Sequence, residues 1–443
     1  MSSKSLSQHS FESVWHPCTQ MKQHETMPPV AIARGEGVWL YDYQGKRYLD
    51  AIGSWWVNLF GHTNPRINAA VRDQLDRLEH VMLAGFTHAP VVELSSRLSG
   101  LLSNRLGHCF YSSDGASAVE IALKMSFHYW RNNGHPEKNR FVSLQNGYHG
   151  ETLGALSVTD VALFTDAYSP LLRYNARVPT PDWRHADEGE SPQDYARRAA
   201  SALETYLAEH HAETAALIVE PLVQGAAGMA MYHPDYLKLA RTICDEHQVH
   251  LIADEIAVGF GRTGTMFACE QASIVPDFLC LGKGLTAGYL PLSVVMTTSG
   301  VYQAFYHDNT ARGFLHSHTH AGNALACRAA LATLDIFEQD KVIEANRVTA
   351  DHLNQAVRPI RLHPKVRNFR NCGMIWAFEV DTSDPAFASA FFRAALEQGL
   401  SLRPLGNTVY FMPPYIIDQQ ESDLLVEGTL RALDLCTTPM RGQ

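Results

Sequence analysis

Residues 250–288, HLIADEIAVGFGRTGTMFACEQASIVPDFLCLGKGLTAG, limit how this chain can fold more than any other stretch. Two apolar runs, 251–253 and 278–281, have the length and composition of buried strands. Each ends on residues that a buried strand would not otherwise hold: Asp254-Glu255 after the first and Gly282-Lys283-Gly284 after the second. The carboxyl ends of strands in a parallel sheet form its ligand crevice, so the pattern directs one acid and one amine to a common site.

The flanking sequence repeats the alternation. Residues 109–113 read as strand, Asp114-Gly115-Ala116-Ser117 as turn and 118–130 as helix; 141–144, 216–220 and 292–297 read as strands and 234–248 as helix. Strands alternating with helices predict an α/β fold whose doubly wound, mainly parallel sheet covers about residues 66–330. Ahead of it, 29–51 alternates apolar and polar residues around Gly35, Gly37 and Gly45, as short antiparallel strands do. Past Ala321 a long helical stretch gives way to strand-like 366–380, a helix over 385–398, strands at 400–403 and 408–411, and a last helix over 418–435. This change of pattern predicts a smaller α+β domain over 331–443, joined by 1–52, beside a large domain over 53–330.

Composition removes several classes of function. A chain of 443 residues with 46% hydrophobic and 19% charged residues has ample material for a large core. A net charge of −10, with no local run of Lys or Arg, argues against a nucleic-acid partner. The first residues lack the apolar core of a signal peptide, and no later run approaches membrane-spanning length, so a cytoplasmic protein is expected. Eight cysteines without paired spacing read as buried, reduced thiols.

An acid that can meet a heterocyclic nitrogen, together with an amine that can form a Schiff base, is the pairing pyridoxal phosphate needs. The turn at Gly115 and Ala116 fits a phosphate, and by itself it also fits an ordinary capped helix. Tyr148 could cover a flat cofactor or be a core tyrosine, and Trp55-Trp56 could contact a ligand or pack. Gly259–Gly264 spells the dinucleotide fingerprint without the helix that must follow it, which sets nicotinamide and flavin chemistry aside. His316, His318 and His320 alternate as metal ligands on a strand would, yet no fourth ligand is identifiable; a polar loop is the simpler reading, and no metal is expected.

Asp254-Glu255, Gly261-Arg262-Thr263-Gly264 and Lys283 together resemble the class III (omega) aminotransferases, which are fold-type I pyridoxal phosphate enzymes. More narrowly, WHPCTQM (15–21), SWW (54–56), THAP (87–90), NGYHGET (146–152), EPLVQGAAGMAMYHP (220–234), CLGKGLT (280–286) and RPLGNTVYFMPPY (403–415) are similar to one branch. That branch serves biotin biosynthesis, converting 8-amino-7-oxononanoate to 7,8-diaminononanoate, usually with S-adenosylmethionine as amino donor and in some relatives with lysine.

The resemblance covers nearly the whole chain and implies roles. Lys283 would hold the cofactor and carry the proton, Asp254 would keep the pyridine nitrogen protonated, and Tyr148 would stack on the ring. The backbone of Gly115 and Ala116 would take the phosphate, and Thr319 would reach the phosphate in a neighbouring subunit, giving a homodimer with shared sites. Arg403 would bind the substrate carboxylate, and Trp55, Trp56, Ser317 and Tyr410 would line the pocket. Arg262 would lie near the site or pair structurally with an acid such as Glu255. Ala226 stands where ornithine and 4-aminobutyrate aminotransferases carry a switching glutamate, which argues against their substrates. Cys18 and His316–Thr319 depart from the common pattern and leave the donor open between S-adenosylmethionine and lysine. The alternatives are another omega-aminotransferase acting on a terminal amine, and a cofactor-binding regulator, for which no basic helix-turn-helix segment is evident.

Overall fold

In the computed structural model, which describes residues 3–437, the chain forms two units. One takes in the chain up to Pro65, Val348–Phe369 and Trp376 onward; the other takes in Arg66–Arg347 and Arg370–Ile375. The first unit opens with an antiparallel meander of β1 (Ile32–Glu36), β2 (Trp39–Asp42) and β3 (Arg47–Asp50), as the alternating sequence there predicts.

The second unit is built on seven strands: β4 (His108–Ser112), β5 (Arg140–Leu144), β6 (Ala176–Val178), β7 (Thr214–Val219), β10 (His250–Asp254), β11 (Phe278–Leu281) and β12 (Ser293–Thr297), with a small hairpin of β8 (Val223–Gln224) and β9 (Ala230–Met231) between β7 and β10. The sheet order is β4-β12-β11-β10-β7-β5-β6. Neighbours from β11 to β6 are parallel, while β12 runs antiparallel to both β11 and β4. The doubly wound, mainly parallel sheet expected from the sequence is therefore present. β7, β10 and β11 are buried along their whole length, which is why apolar runs mark them in the sequence.

Register gathers the site. Ala253 pairs with Val219 and Asp254 with Cys280, so the carboxyl ends of β7, β10 and β11 adjoin. β4 runs in the same direction as β11, and its end feeds the helix Gly115–Asn132 at that same edge. This helix presses Ala118, Val119, Ile121, Ala122 and Met125 onto a core that includes Ile218, Ile252, Phe278 and Val295. Each fully buried large aliphatic side chain contributes roughly 1.5–3 kcal/mol. The helix starts at Gly115 rather than at residue 118, because the Asp114 carboxylate accepts the Ser117 N–H at 2.9 Å and caps it.

The chain continues with β13 (Val366–Cys372), β14 (Ile375–Val380), β15 (Leu400–Ser401) and β16 (Thr408–Phe411). β15 joins the meander parallel to β3, and β13, β14 and β16 form a three-stranded sheet. β15 stops two residues short of the predicted end, since Arg403 precedes Pro404, which has no N–H to extend a ladder. All eight cysteines are free, but they do not all conform to the expectation of burial: Cys18 is exposed, and Cys109, Cys372 and Cys436 are half-buried. Among the described residues no helix is long and apolar enough to cross a membrane.

Candidate active site

Asp254 closes β10 with only 5% of its surface exposed. Its Oδ1 accepts the Ile256 N–H at 3.2 Å and its Oδ2 meets Nδ1 of His149 at 2.8 Å. Lys283 follows β11 with a left-handed φ of 40°. Burial lowers the pKa of its amine, against the opposing pull of the Asp254 and Glu220 carboxylates. A lysine desolvated in this way has more of the neutral amine that nucleophilic chemistry requires.

Two members of this cluster escaped the sequence reading. His149 is buried at 2% exposure, and its Nε2 has no hydrogen-bond partner among the described residues. Glu220, one residue past β7, accepts the N–H groups of Tyr148 and Gly225, each at 2.9 Å. Burial pushes the Glu220 carboxyl up to about 7, with His149 pulling it down and Asp254 pushing it further up. The strand-end rule that picked out Asp254 applies to both: Glu220 follows β7, and His149 lies in the loop after β5.

Tyr148 is half-buried, with its hydroxyl donating to Glu151 at 2.9 Å and its ring 5.3 Å from that of Phe164. Gly115 and Ala116 occupy the first turn of their helix, where N–H groups have no acceptor within the helix. Gly150 lies against this turn with φ of +117°; a Cβ there would come within 2.5 Å of the Ala116 Cβ. A buried acid at a strand end, a desolvated lysine and the first-turn N–H groups of a helix fit pyridoxal phosphate, whose ring nitrogen, aldehyde and phosphate need such groups.

Ser317 and Thr319 lie exposed on an irregular segment rather than in a strand. The Lys124 ammonium lies 2.8 Å from Nδ1 of His316, and Nε2 of His316 lies 3.1 Å from Nε2 of His318. Burial and the Lys124 charge lower the His316 pKa. Among the described residues no group of three or more His, Cys, Asp or Glu side chains is arranged to hold a metal ion. Both Glu255 oxygens accept backbone N–H groups, from Cys269 at 2.8 Å and Ala268 at 2.6 Å, and Arg262 is buried at 1% exposure.

The remaining predicted residues come together in the first unit. The Arg403 guanidinium lies 5.7 Å from the ring centre of Trp55, and its Nη2 donates to the Cys18 carbonyl at 3.1 Å. Trp56 donates from Nε1 to the Tyr410 hydroxyl at 3.2 Å, with the two rings edge to face. Burial pushes the Tyr410 phenol up to about 12, so it stays neutral near neutral pH. Trp55 is 46% exposed and Trp56 is buried. The turn that presents them is left-handed throughout, with φ of 55°, 46°, 71° and 74° at Gly53, Ser54, Trp55 and Trp56. Left-handed geometry costs a non-glycine residue about 1–2 kcal/mol, so three in a row require support from their surroundings.

The sequence profile of the family described as Aminotransferase class-III matches residues 20–433. The adenosylmethionine-8-amino-7-oxononanoate aminotransferase of Helicobacter pylori is 47% identical over 433 residues, covering 96% of each chain. The crystal structure of the protein of that name from Methanocaldococcus jannaschii is similar with a TM-score of 0.91 at 35% identity, covering 98% of this chain and 99% of its own. An amine transaminase from an uncultivated Pseudomonas species, in the PLP-bound form, is similar with a TM-score of 0.90 at 34% identity over 96% of this chain and 99% of its own.

Proposed function

This chain belongs to the class-III aminotransferase family, and from that premise we propose that it transfers an amino group to the 7-keto carbon of 8-amino-7-oxononanoate, giving 7,8-diaminononanoate for biotin biosynthesis. It is a pyridoxal-phosphate-dependent aminotransferase. The observation that carries the substrate reading is Arg403: an exposed guanidinium beside the exposed face of Trp55, engaged only by a backbone carbonyl among the described residues. A guanidinium fork suits a carboxylate, and the indole and its neighbours Trp56 and Tyr410 suit a long aliphatic chain. Ala226 stands where ornithine and 4-aminobutyrate aminotransferases carry a switching glutamate, which argues against their substrates.

Bound pyridoxal phosphate supplies the electron sink for breaking a carbon–hydrogen bond beside the transferred nitrogen. Asp254, oriented by His149, keeps the proton on the ring nitrogen. The Lys283 amine would hold the cofactor between turnovers and, once released, would carry the proton between the substrate carbon and the cofactor's C4′ carbon. Tyr148 covers the ring, and the N–H groups of Gly115 and Ala116 hold the phosphate. Thr319 of a second copy completes that phosphate site, which makes the working form a homodimer, and Ser317 lies on the substrate side of the same segment. The N-terminal segment 1–52 works with the smaller domain, and the enzyme acts in the cytoplasm.

S-adenosylmethionine is the proposed donor, with lysine the other candidate. The second reading, an omega-aminotransferase for terminal amines, is supported by the likeness to an amine transaminase. The test supplies 8-amino-7-oxononanoate with S-adenosylmethionine or lysine in separate reactions and measures the diamine by mass spectrometry. Diamine from either donor supports the substrate assignment and identifies the donor. No diamine from both, with turnover of simple terminal amines, replaces it with the second reading.

A further inference from the structure

Four consecutive residues with positive φ carry the two tryptophans, and the Asp50 carboxylate bonds to the second of the four. This carboxylate, at the end of β3, is buried at 1% exposure. Its Oδ1 accepts the Ser54 N–H at 2.9 Å, and its Oδ2 accepts the Ser54 hydroxyl at 2.7 Å and Nε2 of His62 at 3.0 Å. Asn58 donates from its amide to Nδ1 of His62 at 3.1 Å, which leaves Nε2–H as the donor toward Asp50.

His62 is itself fixed. Its backbone exchanges hydrogen bonds with Gly37, at 2.7 and 3.2 Å, and its side chain lies over Gly35, where an added Cβ would come within 2.6 Å of the His62 Cβ. The turn closes through Trp56 N–H to the Ile52 carbonyl and Asn58 N–H to the Gly53 carbonyl, both at 2.9 Å. The far side is tied as well, by the Met412 N–H to the Ala51 carbonyl at 2.9 Å, one residue past β16 and two past Tyr410. Ser, Trp and Trp have no preference of their own for positive φ, so the conformation is imposed by these partners.

We propose that Asp50, braced by His62, is a positioning residue for the acid-binding pocket: it keeps Gly53–Trp56 left-handed, so that Trp55 stands beside Arg403 and Trp56 against Tyr410. The role rests on the reading that Arg403 and these aromatic residues receive the keto acid. Asp50 touches neither substrate nor cofactor in this role and acts only through the turn.

The test uses the cofactor-loaded enzyme and the variants Asp50→Asn, Ser54→Ala and Asp50→Asn combined with Ser54→Gly. An asparagine puts N–H donors where the turn presents donors of its own, so hydrogen exchange should accelerate in the amides of residues 54–58 while the β4–β12 sheet stays protected. The keto-acid KM should rise roughly 10- to 100-fold, with a smaller change in kcat and with cofactor absorbance unchanged. Glycine adopts positive φ without steric cost, so Ser54→Gly should recover part of the lost KM in the Asp50→Asn background. Ser54→Ala removes one hydrogen bond and should give the same signature in weaker form, which keeps the claim testable if Asp50→Asn does not fold. Unchanged exchange at 54–58, or a fall in kcat at normal KM that glycine does not rescue, overturns the proposal. If the unmodified enzyme does not aminate the keto acid, the substrate reading fails, and the exchange data still decide whether Asp50 holds the turn.

Discussion

Arg403 is the residue whose surroundings say most about substrate choice. A guanidinium that meets a carboxylate through two parallel hydrogen bonds contributes about 1.5–3 kcal/mol, and an ammonium cannot reproduce that fork. Arg403→Ala should therefore raise the keto-acid KM by roughly 10- to 100-fold with cofactor absorbance intact, and Arg403→Lys should recover only part of the loss; steady-state kinetics with each variant measures both. An equal loss of cofactor and keto-acid binding would count against the carboxylate role. Asp254 and Lys283 could be picked out from the sequence because each breaks the apolar pattern of a buried strand. Glu220 breaks it in the same way, but its structural task of holding the Tyr148 and Gly225 backbone is visible only in three dimensions. His149 was hidden for another reason: nothing in a loop sequence says that its ring turns inward to meet Asp254.

At the scale of elements, the approach of the loop after β5 to the start of the helix Gly115–Asn132 is set by Gly150, which must have no side chain and a positive φ. Gly150→Ala should destabilise the protein by about 1–3 kcal/mol and loosen the proposed phosphate site, seen as a lower Tm and faster loss of cofactor on dialysis. A variant that keeps both would show that the helix start tolerates displacement. Periodicity made most strands of the large sheet legible, since β7, β10 and β11 are buried throughout and carry apolar runs. β6 was not, because three residues beside a polar loop carry too little pattern. The reversed direction of β12 was also hidden, since a buried strand has the same composition whichever way it runs. The left-handed turn at Gly53–Trp56 was the least legible element: its cause, Asp50 with His62, lies in contacts outside the turn.

For the molecule as a whole, stability should depend on pH through His250, at the start of β10. Its ring is enclosed by Tyr129, Trp130 and Phe278, with Nδ1 2.9 Å from the Ser126 hydroxyl. Burial pushes its pKa down to about 4 from the ordinary 6.5, with Asp277 opposing and Arg241 and Lys138 adding to the decrease. Between these values the unfolded chain binds the proton and the folded one does not. Stability from this group is therefore complete above about pH 6.5 and falls by roughly 3 kcal/mol as the pH drops toward 4. Urea midpoints measured across that range should decline, and His250→Phe should flatten the decline; an identical slope in the variant would remove His250 as its source.

Lys283 follows β11, beside the strand that Asp254 closes. Borohydride reduction of the cofactor-loaded enzyme followed by peptide mass mapping reads that placement directly. The predicted result is a pyridoxyl adduct on the peptide containing Lys283, absent from Lys283→Ala. An adduct on a different lysine, or none with cofactor bound, would contradict it.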